Sequence, residues 1–430
     1  MLLPISRESF NRGFNDSVQG MATHITDTVR PVEAAAVMEL LPARPRLLAL
    51  GEPAHGEDTL LGLRNELFRQ LVEEEGYRTI AIESDCFKGL LVDDYVTSGT
   101  GTLDEAMEHG FSHGWGAFTG NRELVRWMRA HNDGRPESEQ VRFAGFDGPL
   151  EITAAASPRQ TLTALHAYLA DRLDADLLPC TAETLDGLLG SDDRWIDPDA
   201  MMDPARSVGQ SSEAGRLRLL ADDLVALLDT QTPYLTTASP RETASARETA
   251  SARDEFDRAR LYGRTATGLL RYHHWMADTS PARMTRLCAQ RDLMMAGNLL
   301  ALTERGPALV NGQSAHFQRE LSTMQMWQGP VRWWSAGALV SARLGDAYAY
   351  VATALGTIRH QGVDTPPPDT VEGLLYALPE DRCVIDPRRL ATALGDTPPA
   401  PRTSPWFGYA PLDPAHLADR DGIVFVKDAT

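Results

Sequence analysis

Arg46-Leu-Leu-Ala-Leu-Gly51, continued by Glu52-Pro-Ala-His-Gly56, is the stretch on which the reading of this chain turns. A short apolar run closed by glycine reads as a buried strand, and the residues after it begin a helix whose apolar positions include Leu60, Leu61, Leu63, Leu67, Phe68 and Leu71. The pattern then repeats. Arg78-Thr-Ile-Ala-Ile-Glu83 is a second strand, a helix carries Leu90, Leu91 and Tyr95, and another runs from about Asn121 to Ala130 with Leu124, Val125 and Met128 on one side. Val141-Arg-Phe-Ala-Gly-Phe-Asp147 is the third strand. Crossovers too long for hairpins imply an α/β fold with a mostly parallel central sheet flanked by helices.

Outward from that core the strand signal disappears between about Ser157 and Leu302, where long helical patterns predict a large helical insertion or cap. A tandem hexapeptide, Glu242-Thr-Ala-Ser-Ala-Arg247 and Glu248-Thr-Ala-Ser-Ala-Arg253, lies within it. A period of six does not keep one helical face on a core, so a solvated helix or loop expansion is expected. Strand character resumes at Pro307-Ala-Leu-Val-Asn311, Ala347-Tyr-Ala-Tyr-Val-Ala352, Arg382-Cys-Val-Ile385 and Gly422-Ile-Val-Phe-Val426, with Pro-rich loops at 365–369 and 397–405. The expected organisation is therefore 1–156 as the first half of the α/β core, 157–302 as the helical region or cap, and 303–430 as the second half.

The 430 residues are 43% hydrophobic and 23% charged, which places the chain among globular proteins. Sixty acidic residues against 41 basic ones leave a net charge of -19 and no Lys or Arg block. That balance argues against nucleic acid and against an anionic membrane surface as partners. Cys86, Cys180, Cys288 and Cys383 form no CxxC pair, so neither a zinc ribbon nor a thioredoxin-type site is signalled, and a reducing, cytoplasmic location is expected. The N-terminus lacks a basic region followed by a long apolar stretch, and no segment is apolar enough to span a membrane.

Ligands of open parallel α/β sheets bind beyond the carboxyl ends of the strands. The residues there are Glu52 and His55 after the first strand, Glu83 at the end of the second, Asp147 at the end of the third, and Gln313 and His316 after the strand that resumes the sheet. Any one carboxylate could be a helix N-cap. Together they point to a functional rim. Several rivals are weaker. Gly312-Gln-Ser-Ala-His316 approximates a nucleophile elbow with Ser314, but His316 fills the slot that needs a small residue. His55, His316, Glu52, Glu83 and Asp147 could hold a metal, yet no HExxH-like spacing fixes the geometry, and no metal or other cofactor is expected. His109, His113, His273 and His274 read as surface or capping residues, and Trp327, Trp333 and Trp334 as core or as an apolar wall for a bulky ligand.

Gly51-Glu-Pro-Ala-His-Gly-Glu57, Arg64 and Ile80-Ala-Ile-Glu83 resemble the erythromycin esterase family. The resemblance continues through Trp115, Asn121-Arg-Glu-Leu-Val-Arg-Trp-Met128, Asn132 and Phe143-Ala-Gly-Phe-Asp147. It resumes at Arg291-Asp-Leu-Met-Met-Ala-Gly-Asn298, His316, Arg343-Leu-Gly-Asp-Ala-Tyr348 and the closing strand near Val424. It implies an enzyme that hydrolyses an ester or lactone in a bulky natural product, macrolide or polyketide-like, without a metal. His55 would be the general base, with Glu52 or Glu83 orienting it and His316 assisting at oxygen. Arg64 and Arg291 would hold the carboxylates or meet an oxyanion, with Asp147, Gln313 and Trp115 in support. One position departs. The family's later block reads Ala-His-Asn-x-His, and matching its last His to His316 puts Gln313 where the first His stands and Ser314 where the Asn stands. Glutamine cannot shuttle a proton near neutral pH, which motivates two alternatives: a biosynthetic cyclase or lyase on the same scaffold, and a non-catalytic ligand-binding resistance protein.

Overall fold

Every residue of β1 (Leu47–Glu52) is buried, because the strand lies mid-sheet and is covered on both faces. Its side chains alternate between two cores. Leu48 and Leu50 pack with Leu63, Leu67, Phe68 and Leu124 on one face, and Leu47 and Ala49 with Met295, Leu299 and Val340 on the other. The computed structural model describes residues 29–151, 154–237, 246–326, 329–395, 399–403 and 408–429. The extreme N-terminus, the hexapeptide up to residue 245, Trp327 and parts of the second Pro-rich loop lie outside these.

The remaining strands are β2 (Thr79–Asp85), β3 (Arg142–Asp147), β4 (Leu150–Glu151), β5 (Ala154–Ala155), β6 (Ala308–Gln313), β7 (Leu321–Met326), β8 (Gly329–Trp334), β9 (Tyr348–Ile358), β10 (Arg382–Ile385) and β11 (Gly422–Ala429). Seven form one sheet in the order β10-β11-β9-β1-β6-β2-β3, parallel throughout except for edge strand β10. The α/β class with a mostly parallel central sheet is thus what the chain adopts. β6 inserts between β1 and β2, in register from Leu47 opposite Ala308 to Glu52 opposite Gln313. That insertion brings Gln313 and His316 beside Glu52 and Glu83.

The helices Asp58–Glu74, Lys88–Ser98 and Thr119–Asn132 cover one face. Lys88–Ser98 reaches β3 closely because a Cβ at Gly89 would lie 2.5 Å from the Gly145 nitrogen. Arg283–Thr303 covers the other face and packs on Ala246–Met276, which in turn meets Arg159–Ala170 and Ser212–Thr230. The second hexapeptide copy belongs to the start of Ala246–Met276, where Arg253 is exposed. Arg142 binds Asp93 and Asp254, and Arg258 binds Asp94, tying this long helix to the sheet edge. None of the described helices is long and apolar enough to cross a membrane.

Two hairpins were not legible in the sequence: β4-β5 and β7-β8. In β8 the alternation sends Trp333 inward, 4% exposed, and Trp334 outward, 56% exposed. The expectation for His273 is also corrected. It is buried, its Nε2 lies 2.9 Å from the Ala156 carbonyl, and burial pulls its pKa down to about 4.

Candidate active site

His55 leaves the end of β1 with its ring fixed from two directions. Nδ1 lies 2.7 Å from Glu52 Oε1, and the ring rests on Trp115 with centroids 4.8 Å apart. Trp115 is itself anchored, its Nε1 donating to the Glu83 carbonyl at 2.7 Å. A donor hydrogen at Nδ1 leaves the Nε2 lone pair free, since the nearest carboxylate oxygen, Glu83 Oε2, is 3.6 Å away and beyond a good hydrogen bond. Burial lowers the pKa of His55, but Glu83 and Glu52 outweigh it and raise the imidazole above its ordinary 6.5. It is a stronger base than a free histidine.

Glu83 is the hub. Oε1 receives Arg291 Nη2 at 3.1 Å and faces His316 Nε2 at 3.4 Å, while Oε2 accepts the Gln313 backbone N–H at 2.7 Å. Burial pushes this carboxyl up, yet the charges of His316, His55 and Arg291 prevail and hold it well below the usual carboxylate range. Arg291 also makes a paired contact with Asp147, Nη2 to Oδ2 at 2.7 Å and Nε to both oxygens at 3.1 and 3.2 Å. This fork explains how a fully buried aspartate stays ionised.

His316 is committed at both nitrogens: Nδ1 lies 2.9 Å from Asp292 Oδ1 and Nε2 faces Glu83. Burial lowers its pKa, but Asp292 and Glu83 push it up to about 10, so it is a buried cation at neutral pH. Asp292 stood in the sequence only as part of the Arg291 motif. Here it also accepts Trp333 Nε1 and the Ala336 N–H, both at 2.7 Å, locking β8 and the helix Ala336–Leu344 onto the site.

The other expected residues fall in different places. Gln313 lines the cavity, and its side chain donates to the Gly408 carbonyl at 3.3 Å. Arg64 is completely buried behind Glu52 and His55, bonding Asn65 and Asn311 rather than a carboxylate, and it does not line the main cavity. The charge of Glu52 acts on its guanidinium, and it lines a small separate pocket with Glu52, His55 and Glu83. Ser314 does not line the cavity either: its Oγ packs over Gly51, where an added Cβ would lie 2.8 Å away, so the elbow reading fails. His113 contradicts the surface or capping expectation. It lines the cavity with a side chain 12% exposed, between Asp147 and Glu151. Only its neighbouring Gly114 hinted at an unusual turn.

These groups open into a cavity of about 520 Å³. Its polar end holds His55, Glu83, His113 and Arg291, and its apolar wall includes Met284, Leu287, Met324 and Trp333. The donor set suits proton transfer better than a metal, because the oxygens of Glu83 and Asp147 already face a guanidinium, imidazoles and an N–H. Glu320, His416 and Asp419 form a three-residue cluster with metal-like spacing among the described residues. It shares no member with this rim, and Arg420 already neutralises Glu320.

Fold and rim together define an α/β protein with a buried imidazole–carboxylate centre at the carboxyl ends of parallel strands. The chain belongs to the erythromycin esterase family, whose model matches residues 72–429. The fold is also that of three solved structures. A Bacillus cereus protein aligns at 18% identity with a TM-score of 0.67, covering 96% of this chain and 97% of its own. A succinoglycan biosynthesis protein aligns at 15% identity and 0.65, covering 95% and 97%. The erythromycin esterase EreC, as a His-to-Asn mutant in its open conformation, aligns at 17% and 0.57, covering 90% and 91%. Family membership supports an esterase-like hydrolase acting on a small molecule.

Proposed function

We propose that the protein hydrolyses an ester or lactone bond in a bulky, largely apolar natural product, with His55 as the general base and no metal in the reaction. The observation that carries this reading is the fixed imidazole of His55, Nδ1 tied to Glu52 and Nε2 unbonded, at the polar end of a cavity of about 520 Å³ with an apolar wall. Nε2 takes a proton from water as the water oxygen attacks the acyl carbon. Glu52 and Glu83 stabilise the imidazolium that results, and the cationic pair Arg291 and His316 holds Glu83 in place. Hydrolysis is favoured over cyclisation or elimination because the family supports it and because Gln313 is engaged by its amide in holding Gly408, a structural task that needs no proton transfer.

The test is incubation with macrolactones and simple alkyl and aryl esters in heavy-oxygen water, with and without a chelator. One heavy oxygen in the acid product, chelator-insensitive turnover, and a drop of 10³-fold or so in kcat for His55→Asn are expected. Turnover of His55→Asn within a few-fold of the parent would refute the assignment, and a product of unchanged mass would refute hydrolysis.

A further inference from the structure

Ester hydrolysis needs an acid as well as a base, since the departing alkoxide must gain a proton. His316 is poorly suited, because Asp292 and Glu83 push its pKa up to about 10 and make it a reluctant proton donor near neutral pH. Another imidazole in the cavity is wired much as His55 is. His55 meets Glu52 through Nδ1 at 2.7 Å and Glu83 through Nε2 at 3.6 Å. His113 meets Glu151 through Nδ1 at 2.6 Å and Asp147 through Nε2 at 3.3 Å. Both rings rest against Trp115, with centroids 4.8 and 5.8 Å from it. One nitrogen of Arg291 spans the two buried carboxylates, 3.1 Å from Glu83 and 2.7 Å from Asp147. His113 also has φ of 54°, the one non-glycine residue with positive φ among those described. Sparsely populated backbone of this kind recurs at functional sites.

We propose that His113 is the general acid that complements His55, delivering its proton to the leaving alkoxide of the substrate. This rests on the hydrolytic reading above. In the first half of the step a water O–H bond breaks, its proton passes to His55 Nε2, and its oxygen bonds to the acyl carbon. In the second half the acyl C–O bond breaks and the alkoxide takes a proton from His113, giving an acid and an alcohol. His55 then releases its proton to solvent and His113 recovers one, so water and ester are all that is consumed. Nε2–H is the looser of the two His113 protons, since Asp147 already has Arg291 as its close partner. Glu151, 52% exposed, connects the ring to solvent for recharging. Burial lowers the His113 pKa and Arg291 opposes protonation, but Asp147 and Glu151 prevail and raise it above that of a free imidazole, the direction that favours the proton-donating form.

The leaving group separates this role from a structural one. A p-nitrophenolate departs without help, whereas an alkyl alkoxide does not. His113→Gln is expected to lower kcat/KM for an alkyl ester or lactone by 100-fold or more, and for the matching p-nitrophenyl ester by less than ten-fold. His55→Asn should depress both. Because Glu151 is exposed, Glu151→Gln should fold normally and move the alkaline limb of the alkyl-ester profile to lower pH. Equal losses on both substrates, no loss on either, or a His113 ring found neutral at pH 7 by imidazole nitrogen NMR would overturn the proposal. A parent protein that cleaves neither substrate would overturn the hydrolytic reading, and this one with it.

Discussion

Replacing Asp292 by asparagine keeps the shape of a side chain 1% exposed and removes its charge, which makes it a direct probe of the buried His316 cation. In the folded protein His316 is pushed up to about 10, against 6.5 for a free imidazole. At ~1.4 kcal/mol per pH unit that difference amounts to roughly 5 kcal/mol, the net that remains after the cost of burial is set against the attraction of Asp292 and Glu83. A group whose folded pKa is raised stabilises fully below its unfolded pKa, and the contribution is lost as pH rises through the folded pKa. His316 therefore supports the fold below pH 6.5 and ceases to do so as pH approaches 10. If about half of the interaction is with Asp292, Asp292→Asn removes about 2–3 kcal/mol of it at pH 6.5. Mispairing of the new amide against the Trp333 and Ala336 N–H groups adds about 1 kcal/mol at any pH. Urea unfolding of parent and variant between pH 6 and 10 should then show a gap of about 3–4 kcal/mol at pH 6.5 that narrows to about 1 kcal/mol near pH 10. A gap independent of pH would show that His316 is not a cation in the folded state, and the electrostatic account of the site would fall with it.

Three further outcomes are expected. A Cβ at Gly312 would lie 2.8 Å from both Cβ and Oε2 of Glu83, so Gly312→Ala should displace the hub carboxylate. Its kcat is expected to fall ten-fold or more while a thermal melt shows a loss of only about 1–3 kcal/mol. Met324 is half-buried on β7 and lines the apolar wall, so Met324→Glu should raise KM for a macrolactone at least ten-fold and leave KM for a small acetate ester within two-fold. Only neutral His55 accepts a proton, so kcat/KM should rise with pH through a midpoint above 6.5. Glu52→Gln should move that midpoint down and lower the plateau; an unmoved midpoint would separate Glu52 from the base.

The sheet was legible because its strands are buried on both faces and so read as unbroken apolar runs, from Leu47 to Leu50 and again from Leu309 to Val310. The rim was legible because carboxylates and imidazoles that end such runs must gather at one end of a parallel sheet, as Glu52, Glu83, Asp147 and His316 do. β7 and β8 were not legible: their half-buried alternation, with Ser322 and Gln325 among the apolar residues, resembles a polar loop. Asp292 and His113 escaped for different reasons. A helix-borne aspartate next to Arg291 looks like solvent charge until the fold shows that it faces inward, and His113 is aimed by a left-handed turn that no periodicity announces. Arg64 belongs to the stretch that carries the family resemblance, but its complete burial depends on three-dimensional packing that no spacing announces.

The charges of the site also link its chemistry to the folding of the whole chain. Glu52, Glu83 and Asp147 are all at most 6% exposed, and all come from the first 150 residues. Arg291 and His316, the cations that hold Glu83, arrive only with the Arg283–Thr303 helix and the turn after β6. Buried carboxylates without partners cost several kcal/mol each, so the first three strands alone could not keep this rim ionised in a dry interior. Insertion of β6 between β1 and β2 adds backbone pairing on two sides and at the same step delivers His316 and the Gln313 N–H to Glu83. The charged rim on which the proposed proton transfer at His55 relies is therefore assembled only once β6 and the Arg283–Thr303 helix are in place, and perturbations that loosen β6 should lower activity and stability together.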